Sequence, residues 1–215
     1  MTAPQSLLRL LILGSALALT GCVTLLPETK PVQLYRFTPE TAAPGSGAMA
    51  ENRVPVIRAG GSFHPAAAGD RILTSEGPAA AYLANARWTQ SASVLFDQSL
   101  TGAFAASTGP ARLITSGELG RPAFALRVDV SRFEAAYDQG SRAPPEVRLD
   151  LHLVVTRLSD QKVVREENRS IARRAAENRS GAIASAFQAV TEEALSVIVK
   201  ATDAGVAAGS PRGDS

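Results

Sequence analysis

Few side chains in this chain are of a type that does chemistry. Cys22 is the only cysteine among 215 residues, so its thiol can be a nucleophile or carry a modification but cannot close a disulfide within the chain. His64 and His152 are the only histidines. His64 precedes Pro65 with no cysteine or acidic cluster at metal-ligand spacing. His152 falls on the polar phase of an alternating segment and reads as a solvated or hydrogen-bonded group. Glu166-Glu167 reads as a solvated strand face rather than an acid–base pair. Gly60-Gly61 is not followed by the strand-to-helix transition with a lysine that a phosphate loop needs, and there is no G-x-S-x-G elbow. The expectation is no catalytic residue, no metal site and no cofactor. Arg165, Arg169 and Arg173 recur every four residues, on one face of a strand. Such a row can grip acidic lipid heads or a partner's carboxylates, or simply keep an exposed face soluble. Tyr82 and Trp88 are either an aromatic interaction surface or the anchor of the first helix on a sheet.

The segment before Cys22 decides what its thiol is for. Leu7 to Leu19 is mostly Leu, Ile and Ala, with Arg9 near its start and Thr20-Gly21 after it. A charged start, a short apolar run and small residues before a cut point make a secretory signal. The run is shorter than the ~20 apolar residues of a membrane span. Thr20-Gly21-Cys22 resembles the bacterial lipobox. That resemblance implies cleavage before Cys22, a lipid on its sulfur and acylation of the new amine. Two acyl chains already suffice for firm anchoring, at about 0.8 kcal/mol per buried CH2. Val23 follows the cysteine, and no aspartate stands there as a retention signal of the enteric type, so the expected location is the periplasmic face of the outer membrane.

Removing residues 1–21 leaves 194, enough for one domain that buries its core without staples. The mature chain carries 21 basic and 20 acidic side chains, a balance that argues against nucleic acid as a partner. Residues 22–31 read as a tether, 32–202 as the folded domain, and 203–215, rich in Gly, Ala and Ser, as a disordered tail.

Within the domain, short strands are expected at 32–37, 54–58 and 71–74, with a loop at 39–52. Thr89-Gln90-Ser91 offers helix caps ahead of Ala92, Phe96, Leu100 and Phe104, one helical stripe. A short strand at 112–116 follows. Phe124 to Val130 and Val147 to Val155 alternate apolar and polar, the period of a half-buried strand. Lys162 to Arg174 reads as a polar edge strand. A last helix, capped by Asn178 or Ser180, carries Ile183, Phe187, Val190, Ala194, Leu195 and Ile198. The expected class is α+β, a mostly antiparallel sheet with two main helices on one face.

One stretch resembles a known family. Arg71-Ile72-Leu73, then Tyr82, then Asn85-Ala86-Arg87-Trp88 opening the helix, with Phe124 to Glu134, Pro145-Glu146-Val147 and Ser180 to Lys200 later, resembles the ABC-type transport auxiliary lipoproteins, among them the paraquat-inducible protein C lipoproteins. Ala81 and Ser91 to Ser93 depart from the family's pattern. The resemblance implies a non-catalytic periplasmic accessory to an ABC transporter that carries an MCE-type substrate-binding protein and moves phospholipid or other apolar molecules between membranes. A homo-oligomer is compatible with it. A lipid anchor without catalytic residues would equally suit a secretin pilot, a barrel-assembly factor or an activator of a wall synthase.

Overall fold

The computed structural model describes residues 31–37, 53–114 and 121–210. Cys22, the signal segment, nearly all of the tether, the 39–52 loop and the end of the tail lie outside the described residues. In chain order the elements are β1 (Gln33–Tyr35), β2 (Val54–Arg58), β3 (Arg71–Glu76), β4 (Ala79–Trp88), α1 (Ala92–Ala106), β5 (Ala111–Ile114), β6 (Phe124–Ala136), β7 (Glu146–Arg157), β8 (Lys162–Arg174) and α2 (Ser180–Gly209).

The strands form one eight-stranded sheet with β6 as its spine. One edge of β6 pairs along its length with β7, and β7 in turn with β8, all antiparallel. The other edge is shared: β2 takes its first residues, Phe63 bridges Val130, and β3 takes Ala135 and Ala136, all parallel. Parallel pairs β2–β5 and β1–β4 extend the sheet on both sides, and β3–β4 is an antiparallel hairpin. The class is α+β, but the sheet is mixed and not mostly antiparallel. Alternation marks a strand without marking its direction, and the short strands here arrive parallel after long connections.

The alternating segments behave as their pattern demands. Val147, Leu149, Leu151, Leu153 and Val155 are all buried, while Arg148, Asp150 and His152 between them face the other side half-exposed. Both helices lie on the buried side. The Phe63 ring meets Phe96 of α1 at 5.9 Å and Phe133 of β6 at 5.4 Å, and Phe133 meets Phe187 of α2 at 4.7 Å. The α1 stripe Ala92, Phe96, Leu100 and Phe104 is at most 1% exposed. The N-cap of α2 is Arg179 rather than Asn178 or Ser180. Asn178 instead accepts from Tyr137 Oη and donates to Ser141 O, both at 2.9 Å.

Residues 203–210 are not a disordered tail: α2 runs unbroken to Gly209. Its small residues are the reason. Ala201, Gly205 and Gly209 stand four apart and lie buried on the sheet. A Cβ on Gly205 would come within 3.1 Å of Arg165 Cβ, and one on Gly209 within 2.7 Å of the Phe124 ring. The composition that reads as disorder is what lets the helix lie this close. Arg157 Nη1 donates to Gly209 O at 2.7 Å and holds the helix end to the sheet. α2 is also long and apolar enough to cross a bilayer by composition, but 56% of that window is buried inside the fold.

The Asn85-Ala86-Arg87-Trp88 run does not open a helix. It ends β4, a strand that its alanines conceal. Between the pairs Leu73↔Tyr82 and Arg71↔Arg87, β4 carries extra residues, a bulge. Asn85 takes the left-handed conformation there, with φ 54°, which asparagine tolerates better than most residues. The bulge sends Ala86 and Trp88 inward, at 3% and 2% exposure, and Arg87 outward to Asp70 at 2.7 Å. Trp88 packs edge-on against Phe37 at 4.9 Å and Phe187 at 5.2 Å, so it ties the last helix to the sheet.

Two stability predictions follow from this packing and from ion pairs at the sheet's surface. Trp88→Ala removes a buried ring at a cost of about 3–5 kcal/mol, a large share of a typical 5–15 kcal/mol. Thermal unfolding followed by circular dichroism should show a melting temperature many degrees lower. The carboxyls of Asp129, Asp138 and Asp160 lie below their usual 3.8, chiefly through hydrogen bonds from Arg127, Arg174 and Arg157, and Asp160 falls to about 2. A depressed carboxyl contributes stability above its unfolded pKa and loses it as pH falls through the folded value. The melting-temperature gap between wild type and Asp160→Asn should therefore be full above pH 4 and close toward pH 2.

Candidate functional site

β8 is the sheet's long outer strand: thirteen residues paired with β7 on one side only. Its register places Arg165, Glu167, Arg169 and Arg173 opposite Val155, Leu153, Leu151 and Val147. The three arginines therefore share one face, and it is the helix face, beside α2. Their charge is already engaged. Arg165 Nε donates to Glu167 Oε1 at 2.6 Å, Arg169 pairs with the same carboxylate, and Arg173 Nη2 donates to Glu193 of α2 at 2.5 Å. Glu167 is only 9% exposed, so Glu166 and Glu167 part ways: one faces solvent, the other sits between two arginines. The counter-ions Glu167 and Glu193 were not among the sequence candidates. Glu167 could have been found from its phase, two residues from each of Arg165 and Arg169.

His152 belongs to the open face. Its Nε2 lies 2.8 Å from Glu166 Oε1 and its Nδ1 3.9 Å from Asp129 Oδ2. Asp129 also accepts from Arg127 Nε at 2.8 Å and from Ser62 N and Oγ at 2.9 and 2.8 Å. Arg132 pairs with Asp150 at 3.2 Å, and Arg148 and Arg174 converge on Glu146 and Asp138. This face is a lattice of matched charges. The alternation of Arg with Asp or Glu on the polar phase of β6 and β7 carries its signal in the sequence. His64 lines a cleft of about 790 Å³ on this side with Leu73, Glu76, Arg132, Glu134 and Arg148, and its backbone N–H donates to Val130 O. Among the described residues no three or more His, Cys, Asp or Glu gather as metal ligands.

The two aromatic candidates separate. Trp88 is core, whereas Tyr82 is half-buried, donates to Ala66 O at 3.1 Å, and lies under the Arg71 guanidinium at 4.0 Å. They form no common aromatic surface. A second groove, of about 590 Å³, opens between the end of α1 and α2, lined by Ala103, Leu195, Val199, Lys200 and Asp203. Asp203 is committed there to the Ala111 N–H at 3.0 Å.

This architecture has relatives. Protein XCC0632 from Xanthomonas campestris superposes with a TM-score of 0.60 at 20% identity, over 84% of this chain and 90% of that one. Protein CT253 from Chlamydia trachomatis does so with a TM-score of 0.51 at 8% identity, over 73% and 99%. At these identities the likeness is one of fold. The comparison with curated proteins finds no match. The family model described as "ABC-type transport auxiliary lipoprotein component" matches residues 62–199, from the Phe63 bridge through most of α2. With well over half of its length matched, and with the spine, the edge strand, α1 and most of α2 inside the match, this chain belongs to the ABC-type transport auxiliary lipoprotein family.

Proposed function

We propose that this protein is a non-catalytic lipoprotein of the outer membrane, anchored at Cys22, that docks the MCE-type protein of an ABC transport system moving phospholipid or other apolar molecules between membranes. The observation that carries the docking role is β8, a thirteen-residue strand with one edge unpaired among the described residues. An unpaired edge offers N–H and C=O groups to an added strand of a partner. Family membership supports the transport context, and the lipobox supports the anchor.

Magnitudes assign the parts. Exposed ion pairs contribute about 0–1 kcal/mol, and Arg165, Arg169 and Arg173 share two carboxylates, Glu167 and Glu193, which leaves the row one net positive charge. Each hydrogen bond of an added strand contributes a net of roughly 0.5–1.5 kcal/mol, and a long edge makes several. The backbone supplies the affinity, and the arginine row supplies orientation and encounter rate.

Two measurements test this. Lipidated full-length protein in detergent should co-purify with the MCE protein encoded nearby. No complex at any salt discards the docking model. Removing the arginines alone would strand the buried Glu167, so the variant is Arg165→Ser, Glu167→Gln, Arg169→Ser and Arg173→Ser together. It should associate more slowly, with a weaker salt dependence around the ~10 Å Debye length of 0.1 M salt, while melting near wild type. For the anchor, Cys22→Ala should leave an uncut, unlipidated precursor. Cleavage at the same bond, with continued sedimentation in the outer membrane, would refute lipidation.

A further inference from the structure

Among the described residues, the large apolar side chains left exposed are Val32 at 50%, Leu34 at 62%, Val94 at 43% and Val163 at 48%. Single exposed apolar residues are ordinary on any surface. Val32 and Leu34 are not single: they stand two apart at β1, on one phase of the strand. The other phase is spoken for. Tyr35 Oη donates to Ser180 Oγ of α2 at 3.1 Å, and Phe37 is fully buried against Trp88. Val32, Leu34 and Arg36 therefore point away from the helices.

Cations surround these two side chains. Leu34 is opposite Arg87, and Arg87 is opposite Arg71. Arg87 shares the half-exposed Asp70 at 2.7 Å, Arg71 lies over the Tyr82 ring, and Arg36 makes no ion pair with a described residue. Three arginines thus face one aspartate around an exposed leucine and valine. Elsewhere on the open face each arginine of β6, β7 and β8 has a carboxylate partner.

We propose that this β1 patch rests on the anionic phospholipid headgroups of the membrane that holds the Cys22 anchor, with Leu34 and Val32 at the headgroup–acyl boundary. The proposal rests on the anchored reading above. Val32 follows Cys22 by ten residues, which even fully extended span at most about 35 Å. The patch cannot leave the neighbourhood of the bilayer. Apolar side chains flanked by Arg are the composition that an interface takes up, with the cations on the lipid phosphates. The contact also orients the domain. Across the path β1–β4–β3–β6–β7–β8 there are five strand spacings of about 4.8 Å, so the docking edge stands roughly 24 Å from the edge on the membrane.

The test uses the full, lipidated chain. With the Cys22 sulfur acylated, Leu34→Cys introduces the sole free thiol, which is labelled with an environment-sensitive dye. Val163→Cys and Val94→Cys, at positions 48% and 43% exposed, are controls on other elements. The proteins are reconstituted in vesicles of phosphatidylethanolamine and phosphatidylglycerol. The dye at position 34 should shift to the blue and be quenched by nitroxide-bearing lipid roughly twofold or more beyond either control. Replacing phosphatidylglycerol by phosphatidylcholine, or Arg36 and Arg71 by Ser, should reduce that difference. Protein that floats with the vesicles while the dye at 34 matches the one at 163 overturns the proposal and leaves the anchor standing. Protein that fails to float overturns the anchor and the proposal with it.

Discussion

Phe133 is the contact on which the rest of the fold depends. It lies on the spine strand β6 and meets four other rings: Phe37 at 5.3 Å, Phe63 at 5.4 Å, Trp88 at 6.4 Å and Phe187 at 4.7 Å. Those rings come from the segment after β1, the bridge before β3, the end of β4, and α2. Pieces of chain from Phe37 to Phe187 are therefore gathered on one side chain. Ring pairs add about 0.5–1.5 kcal/mol each beyond their buried area. The bulge at β6 between Val130 and Arg132 keeps Phe133 on the helix side, because the extra residue restores the phase after Val130. Were Ser131 instead paired in regular alternation, Phe133 would fall on the open, charged face. By absorbing one residue, the bulge keeps both halves of β6 facing the same core.

The second constraint is closeness. α2 covers β7 and β8 because its last turns carry Ala and Gly where a larger side chain would strike Val155, Arg165 or Phe124. A close helix explains why Glu167 and Arg165, though on an edge strand, are drawn into partly buried pairs. It also stiffens β8 from behind. An edge strand that is held flat pays little ordering entropy when another strand adds to it, which is what an augmentation surface requires.

Much of this was legible in sequence where a pattern is enforced by burial. The long alternating strands, the α1 stripe and the first half of α2 follow from periods of 2 and 3.6, because every inward position must be apolar. β4 was hidden, since Ala79 to Ala81 carries little β-propensity and its pairing on both sides supplies the order instead. The mixed direction of the sheet was hidden because no local signal encodes it. The end of α2 was hidden because Gly and Ala serve close packing as readily as disorder. At the edge strand the positions of Arg165, Arg169 and Arg173 were visible but not all of their partners, since Arg173 pairs with Glu193 of a helix twenty residues on. Asn85 and Trp88 were visible as a motif. Their roles as bulge and ring anchor became clear only through the register of β3 with β4.

Two of the sheet's three terminal strands, β8 and β1, differ in the chemistry they can offer. At β8 the side chains are self-paired, so what remains unsatisfied is the backbone edge, and a backbone edge recognises another strand. At β1 the strand is three residues long, too short to recruit a strand with much affinity, and what remains unsatisfied is apolar surface and positive charge. That combination is the chemistry that the proposed contact with acyl chains and phosphates requires. The intervening lattice of matched charges on the open face recognises neither, because each Arg already holds its carboxylate and a new partner would have to break a pair to gain one. Under the proposed function, an anchor ahead of β1 and a docking strand at β8 make the sheet a spacer that sets both the distance and the direction at which the partner meets the membrane.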